Sequence, residues 1–328
     1  MVPAEDLGGV VEEAFKGDRV AISKVITAIE EDPWALRSYF PKIFRGGDSV
    51  VIGITGSPGV GKSSLINHMI RALRARGDTV AVIAVDPASP YSGGAFLGNR
   101  VRVRTLDEGT FFRSMSTPPE ESIPWKAVLA MEFLSSLGYS YVIIEHPGAG
   151  QVNVKIMDFV DVVVVVLQPL TGDDIQALKA GIMEIGDIYV VNKSDLPQAQ
   201  ILYMQLRMAI EDVERRGWRP PVIMTNSING KGVEKLIEAI DSFIEHSSRS
   251  GLLSDRRRRR RIAEVTGIAQ VMLREEFARF TRGSIALEVI NKCLRGEVDF
   301  LTASETLYRM FIKSICNPAN GASNPKPD

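Results

Sequence analysis

One eight-residue segment, 56–63, combines glycines, a lysine and a serine at the spacing of a phosphate-binding loop. It reads Gly-Ser-Pro-Gly-Val-Gly-Lys-Ser and fits the pattern G-x-x-x-x-G-K-[ST]. Glycines let backbone N–H groups turn onto phosphate oxygens, the lysine reaches the β- and γ-phosphates, and the serine hydroxyl binds Mg²⁺. We therefore predict a nucleoside triphosphate site with Lys62 as a catalytic group, contacted by Gly56, Pro58, Gly59, Val60, Gly61, Lys62, Ser63 and Ser64.

The segments on either side of this loop are those that its mechanism needs. The apolar run 50–54 predicts a short buried strand, and 65–73 predicts a helix whose N-terminus adds partial positive charge beside the phosphates. A glycine-rich turn without a ligand is the alternative, and the flanking strand and helix argue against it.

A second polar motif follows the apolar run 187–191 and indicates which base is bound. It reads Asn192-Lys193-Ser194-Asp195 and matches the N-K-x-D loop of GTP-binding proteins. The carboxylate of Asp195 offers only acceptors, so it pairs with the N1–H and 2-amino group of guanine, a donor edge that adenine lacks. We expect Asn192 to brace the loop and Lys193 to lie along the base plane. An ordinary polar turn after a strand is the alternative.

A further base-contacting loop is expected at 225–228, after the apolar run 221–224. Here the Ser227 side chain and the backbone N–H of Ile228 would touch the guanine oxygen. A plain strand-to-loop turn explains the same pattern and stays open as the alternative.

Two carboxylates each close an apolar run and complete the expected metal site. Runs that are apolar throughout predict strands of a parallel sheet, whose carboxyl ends gather at the ligand-binding edge. Mg²⁺ takes one or two carboxylates together with hydroxyl and phosphate oxygens, so we predict a catalytic metal site of Ser63, Asp86 and Glu145. Each acid has a helix N-cap or turn role as its alternative. The N–H of Gly148 is expected on the γ-phosphate, a contact that hydrolysis removes.

Taken together, these motifs identify a family. The chain resembles the MeaB/ArgK-type GTPases, the G-protein chaperones of adenosylcobalamin-dependent methylmalonyl-CoA mutase, over nearly its whole length. Besides the phosphate loop, the resemblance is carried by Gly17-Asp18-Arg19, 84–89, 92–94 with 97–98, Glu145 with Gly148, Gly150 and Gln151, Pro169 with Gly172 and Asp173, 179–182, and Asn192-Lys193.

The resemblance implies roles that the motifs alone do not give. It places Asp86 and Glu145 in the Mg²⁺ shell, 92–99 in a first switch and 148–151 in a second. Segment 171–179 resembles the extra loop that couples nucleotide state to the mutase, with Lys179 acting on the phosphates or on the partner. The implied partner is an adenosylcobalamin-dependent acyl-CoA mutase of the methylmalonyl-CoA mutase type, and the implied assembly is a homodimer.

The chain departs from the family pattern at two places. Asn99 stands where the family carries an acidic residue, and His146-Pro147 stands where it carries Thr-Val. Pro147 has no backbone N–H, so the γ-phosphate contact falls to Gly148 alone. His146 is interpreted either as a general base or, with no acid partner visible in the sequence, as a structural residue.

Composition is that of a soluble, enzyme-sized protein. The chain has 328 residues and a formal net charge of −1, which gives no field for nucleic acid or a membrane surface. Two cysteines, Cys293 and Cys316, argue for a reducing cytoplasm rather than a disulfide framework. The first residues lack a signal or transit sequence, which favours the same compartment.

The expected fold class is α/β: a P-loop NTPase with a mostly parallel central sheet flanked by helices. Apolar residues at helical spacing in the first 44 positions and in two long C-terminal stretches, 255–280 and 285–311, predict helices outside the sheet. The basic run 256–261 is interpreted as a solvated helix face or a site for an acidic partner, rather than a nucleic-acid arm. The expected order is an N-terminal helical segment (1–47), a GTPase domain (48–246), a linker (247–254), a helical dimerisation arm (255–316) and a disordered tail (317–328).

Three functions fit parts of this sequence pattern. The favoured one is a GTP-binding chaperone with slow, Mg²⁺-dependent hydrolysis that gates cobalamin loading and protects an acyl-CoA mutase. A metal-insertion GTPase would carry Cys/His clusters, whereas His68, His146 and His246 are scattered. A P-loop kinase is the third, and the guanine loop argues against it.

Overall fold

The structure is a computed structural model that describes residues 7–87, 107–117, 123–147, 154–169 and 185–316. The expected switch segments 92–99, 148–151 and 171–179, with Gly148 and Lys179, lie outside the described residues, as do Asn99 and the tail 317–328. The side chain of Asp86 lies outside them as well.

A sheet of seven parallel strands forms the centre of the described chain, as the apolar runs predict. The strands are β1 Val50–Gly56, β2 Val80–Pro87, β3 Thr110–Thr117, β4 Tyr141–Pro147, β5 Val162–Leu167, β6 Ile188–Val191 and β7 Val222–Met224. Their spatial order is β3-β2-β4-β1-β5-β6-β7. Strands β1, β5 and β6 are buried almost throughout, because helices cover both faces of such a sheet.

The N-terminal residues form the expected helices. The predicted apolar positions Val10, Ala14, Ile22, Val25, Ile26 and Ile29 are all buried. Asp18 starts the second helix, because its carboxylate accepts the Ala21 N–H at 2.6 Å. The elements are α1 Leu7–Phe15, α2 Arg19–Glu31, a 3₁₀ helix Pro33–Tyr39 and α3 Phe40–Ile43.

The remaining helices pack on the sheet or extend beyond it. Helix α4 (Lys62–Ala75) follows the phosphate loop. Its apolar side chains join those of β1, β5 and α7 (Val233–Arg249) in one buried cluster. A second 3₁₀ helix, Val154–Phe159, precedes β5. The helices are α4 Lys62–Ala75, α5 Trp125–Ser136, α6 Ala199–Ala209, α7 Val233–Arg249, α8 Leu252–Thr281, α9 Ser284–Leu294 and α10 Phe300–Cys316.

The expected linker at 247–254 is wrong, because most of it is helical. Ser247 and Ser248 lie within α7, and their hydroxyls donate to the Ile244 carbonyl at 3.1 and 2.7 Å instead of competing for the helix N–H groups. Only Ser250 and Gly251 separate α7 from α8.

The second long C-terminal helix, predicted over 285–311, is also corrected, since two helices occupy this range. Gly296 has a positive φ of 74° and ends α9, a conformation in which glycine carries no Cβ penalty. Asp299 then starts α10, because its carboxylate accepts the N–H groups of Leu301 and Thr302, each at 3.0 Å.

Three arginines of the basic run bind buried aspartates of this chain. Arg256 donates two hydrogen bonds of 2.7 Å to Asp187, which is fully buried before β6. Arg257 donates to Asp161 at 3.1 and 3.0 Å, and Arg260 lies 3.5 Å from the same carboxylate. We call these five residues the arginine–aspartate cluster. The acidic partner of the basic run is therefore, in large part, the chain itself.

The same two aspartates hold the amino ends of central strands. Asp161 accepts the Val51 N–H at 3.0 Å, and Asp187 accepts the Val163 N–H at 2.8 Å. Burial alone would lower the pKa of Arg257, but its hydrogen bonds and charge attraction to Asp161 raise that pKa above its usual range. The cluster therefore fixes the start of α8 to the edge of the sheet opposite the phosphate loop.

The chain divides into two compact units, Met1–Arg260 and Arg261–Asp328. In the second unit, Phe311 packs on Phe277 and Phe280, with ring centroids 5.0 and 5.5 Å apart. None of the helices in the described ranges has both the length and the apolar character that a bilayer span requires.

Candidate functional site

The phosphate loop joins β1 to α4 at the carboxyl edge of the sheet. Lys62 begins α4 and is almost fully buried, and its ammonium donates to the carbonyls of Gly56 and Ser57 at 2.7 and 3.1 Å. These contacts hold the positive charge inside the loop, next to the N–H groups that begin the helix. The arrangement concentrates donors and positive charge where a polyphosphate would bind.

Gly61 is the tightest position of this loop. Its φ is +95°, and a Cβ there would lie 2.4 Å from the Asn192 amide nitrogen and 2.8 Å from the Ser227 hydroxyl. The loops 192–195 and 225–228, which are expected to contact the base, are called the base loops. A side chain at position 61 would therefore combine backbone strain with a clash against both base loops. The glycine lets three loops that are distant in sequence come together.

The structure brings two of the three expected metal ligands together. Ser63 stands in the first turn of α4, and its hydroxyl donates to Glu145 Oε1 at 2.8 Å. Glu145 is mostly buried in β4, level with Ile54 of β1 and Ala84 of β2. Asp86 stands two residues beyond Ala84 in β2, at the same edge of the sheet.

The chemistry of this donor set fits Mg²⁺. A serine hydroxyl beside a carboxylate supplies hard oxygen ligands, and Mg²⁺ completes its shell with waters and phosphate oxygens. Within the described residues, no three His, Cys, Asp or Glu side chains form a group that could hold a metal by themselves. Ser63 and Glu145 offer two oxygen ligands of such a site, which waters and phosphate oxygens would complete.

His146 follows Glu145 in β4, level with Thr55 of β1, and is buried.

The first base loop is joined to the phosphate loop by Asn192. This side chain is fully buried at the end of β6, and its amide donates to the Val60 carbonyl at 2.7 Å and the Ser227 hydroxyl at 2.9 Å. Its carbonyl accepts the Thr225 hydroxyl at 3.1 Å and the Ser227 N–H at 3.0 Å. Every polar atom of the amide is thus committed to holding the phosphate loop and both base loops in one arrangement.

The two residues expected to face the base lie beyond Asn192. Lys193 has a φ of +56°, which is uncommon outside glycine, and it turns the chain sharply after the strand. Asp195 is exposed, and its Oδ1 accepts the Asn226 amide at 2.8 Å. An exposed carboxylate at the mouth of the base loops leaves its remaining oxygen sites open to a ligand.

In the second base loop, Ser227 and Ile228 differ in their contacts and exposure. Ser227 is part of the Asn192 network, whereas the Ile228 side chain is 83% exposed. The Ile228 N–H donates to Asn226 Oδ1 at 2.8 Å. Asn226 lies in the same loop, and the sequence motif assigns it no role. Its position next to Ser227, in a loop expected to read a base, was the available signal.

The chain is similar to known GTPases over most of its length. Residues 23–281 match the family model described as methylmalonyl Co-A mutase-associated GTPase MeaB. The chain is 38% identical to a Pyrococcus horikoshii protein named as a GTPase, over 95% of this chain and 99% of that one. It is 26% identical to the GTPase ArgK of Escherichia coli, over 95% and 99% of the two chains.

Two further matches differ in kind. A region of the fused isobutyryl-CoA mutase of Nocardia farcinica is 38% identical, covering 56% of this chain and 18% of that protein. The solved structure of a LAO/AO transport system kinase shares the fold, with a TM-score of 0.66 at 23% identity over 94% of this chain and 99% of that one. The family model spans most of the chain, and the phosphate and base loops lie within its match, so the chain belongs to the MeaB family of GTPases.

Proposed function

We propose that the chain is a GTP-binding and slowly GTP-hydrolysing chaperone that gates cobalamin loading and protects an acyl-CoA mutase of the methylmalonyl-CoA mutase type. The observation that carries the nucleotide part is Asn192, which joins the phosphate loop to both base loops through four hydrogen bonds. Base and phosphates then bind to one connected unit. Family membership and the fused mutase relative support the partner.

The proposed reaction is hydrolysis of GTP to GDP and phosphate, with Mg²⁺ as the metal. Mg²⁺ would neutralise charge on the phosphates, held by Ser63, Glu145 and Asp86. Lys62 contributes positive charge from within the loop, and the N-terminus of α4 contributes its dipole. Phosphoryl transfer depends mostly on positioning and charge neutralisation, and the segments 56–64, 84–89 and 145–151 contain no arginine, so we expect slow intrinsic turnover.

Coupling to the mutase is proposed for the segments 92–99, 148–151 and 171–179. A chaperone that gates loading must bind its partner with different free energies in its GTP and GDP states. By linkage, the partner must change nucleotide affinity by the same factor, typically about 5- to 150-fold. Gly148 would contact the γ-phosphate, and Lys179 would act on the phosphates or on the partner.

The helical segment 255–316 is proposed as a homodimerisation arm. Many large apolar side chains of its helices are exposed, and a soluble chain buries such surface by association. These residues are Ile262, Val265, Met272, Leu273, Ile285, Leu287, Leu294, Phe300, Leu301, Tyr308, Ile312 and Ile315. A cytoplasmic location is proposed too, since both cysteines are free.

The test is GTPase rate and nucleotide affinity with and without a cognate adenosylcobalamin-dependent mutase. We expect the mutase to change both, and Lys179→Ala to keep GTP binding while losing the stimulation. Unchanged rate and affinity at saturating mutase would reject the chaperone proposal and leave a guanine-nucleotide hydrolase. Equal affinity for ATP and GTP would reject the nucleotide part itself. Stimulation by a metalloenzyme target instead of the mutase would favour the metal-insertion alternative.

A further inference from the structure

Asn226 uses both ends of its side-chain amide. Its Oδ1 accepts the Ile228 N–H at 2.8 Å, and its Nδ2 donates to Asp195 Oδ1 at 2.8 Å. A backbone N–H can only donate, so the amide oxygen must face Ile228 and the amide nitrogen must face Asp195. The donor and acceptor directions of this contact are therefore set by the backbone.

The backbone of Asn226 is fixed as well. Its N–H donates to the Lys231 carbonyl at 2.9 Å, and its carbonyl accepts the Gly230 N–H at 2.8 Å. The residue is buried, whereas Asp195 is exposed. The rigid partner in this pair is Asn226, and the side chain that it holds is the one expected to read the base.

We propose that Asn226 is a specificity-determining positioning residue, which makes residue 195 present acceptors to the base. A carboxylate has about four lone-pair sites, and Asn226 occupies one of them. The others remain for two donors, the N1–H and 2-amino group of guanine. The proposal rests on the guanine recognition proposed above. It adds that the polarity of recognition is set from a second residue, 31 positions away.

A substitution at 195 makes this polarity visible. In Asp195→Asn, the new amide oxygen must turn toward the Asn226 donor, so the new amide nitrogen faces the base. Guanine presents its 2-amino donor there and is repelled. Xanthine keeps the N1–H but carries a carbonyl at C2 in place of the amino group, and that carbonyl accepts from the new amide. Asp195→Asn should therefore prefer xanthine over guanine.

Exchanging both residues should reverse the preference again. In Asp195→Asn/Asn226→Asp, the carboxylate at 226 still accepts the Ile228 N–H and now also accepts from the amide at 195. The amide oxygen at 195 then faces the base, which suits the guanine donors. A merely structural role for Asn226 cannot produce this reversal, because a second lesion of that kind would only weaken binding further.

The experiment is titration of the full-length chain with GDP and with xanthosine diphosphate. We expect the wild type to prefer GDP by about 10²-fold or more, Asp195→Asn to prefer xanthosine diphosphate, and the double variant to prefer GDP again. Asn226→Asp alone should lose about tenfold or more in GDP affinity, since two carboxylates then face each other. The control is Asn229→Asp, which adds the same charge in the same turn on an exposed residue. The side-chain carbonyl of Asn229 accepts the Lys231 N–H at 3.0 Å, which an aspartate can also do. This variant should change GDP affinity by less than about threefold.

Asn226→Ala covers the case in which the double variant does not fold, as judged by circular dichroism. In the Asp195→Asn background it frees the amide to turn either way, so the two diphosphates should bind within about threefold of each other. A retained xanthine preference in the double variant, or in Asp195→Asn/Asn226→Ala, would overturn the role of Asn226. A wild type that does not distinguish GDP from ADP would instead overturn the proposed function.

Discussion

Arg256 offers the sharpest test of the arginine–aspartate cluster, because its neighbour Arg258 in the same helix is exposed. Arg256 forms a bidentate pair with Asp187, whose side chain is fully buried, and donates to the Asp161 carbonyl at 2.9 Å. Its guanidinium also stacks 5.2 Å from the centre of the Phe243 ring. The perturbation we consider is Arg256→Ala.

The expected loss follows from what remains around Asp187. Removing one partner of a buried ion pair costs about 3–5 kcal/mol when the other charge is left alone. Here Arg215 still donates to Asp187 at 3.1 Å, and the Val163 N–H donates at 2.8 Å. The carboxylate stays partly compensated, so the loss should be nearer to that of one charged hydrogen-bonded contact, about 2–3 kcal/mol.

The assay is thermal and chemical unfolding of matched variants. Arg256→Ala should lower the melting temperature by about 5 °C or more, whereas Arg258→Ala should change the free energy of unfolding by less than about 0.5 kcal/mol. Because the pair is shielded from solvent, the difference should persist at 1 M salt, where the Debye length is about 3 Å. Equal destabilisation by both variants, or loss of the difference in salt, would refute the reasoning.

Three further predictions concern the site and the core. Gly61→Ala should weaken nucleotide binding by about tenfold or more, because its Cβ displaces Asn192. The control is Gly59→Ala, which also has a positive φ but whose Cβ meets nothing within 4 Å, and it should weaken binding less in the same titration. Glu145→Gln should reduce Mg²⁺-dependent phosphate release by about 10²-fold while leaving GTP binding within about threefold. Burial raises the pKa of Tyr189 to about 12, so the folded state holds its proton longer; stability should fall between about pH 10 and 12, and less in Tyr189→Phe.

The parts of the site that were predictable from sequence are those in which one short segment does the chemistry. The phosphate loop, the strand before it and the helix after it follow from a local pattern of glycine, lysine and apolar residues. The pairing of Ser63 with Glu145 also followed, because parallel strands bring their carboxyl ends to one edge. In both cases the local sequence pattern and the parallel order of the strands predict the same position for the residues.

Contacts that depend on distant partners were not predictable in this way. Asp187 lies 69 residues before Arg256, and Asp161 lies 96 residues before Arg257. No local pattern marks these aspartates as partners of the basic run, because an isolated aspartate before a strand is also an ordinary turn residue. Strand β3 was missed as well, because Thr110–Thr117 mixes polar and apolar residues and pairs only with β2 at the edge of the sheet. Tertiary context, rather than propensity, decides both.

Strand β6 connects the arginine–aspartate cluster at the amino edge of the sheet with the phosphate loop at the carboxyl edge. It has only four residues, Ile188–Val191, all buried. Asp187 precedes it and is bound by Arg256 from α8, and Asn192 follows it and binds Val60 of the phosphate loop. A buried strand this short has little freedom to shift at one end without shifting at the other. The start of α8 and the loop that begins at Asn192 are therefore attached to the two ends of one rigid element.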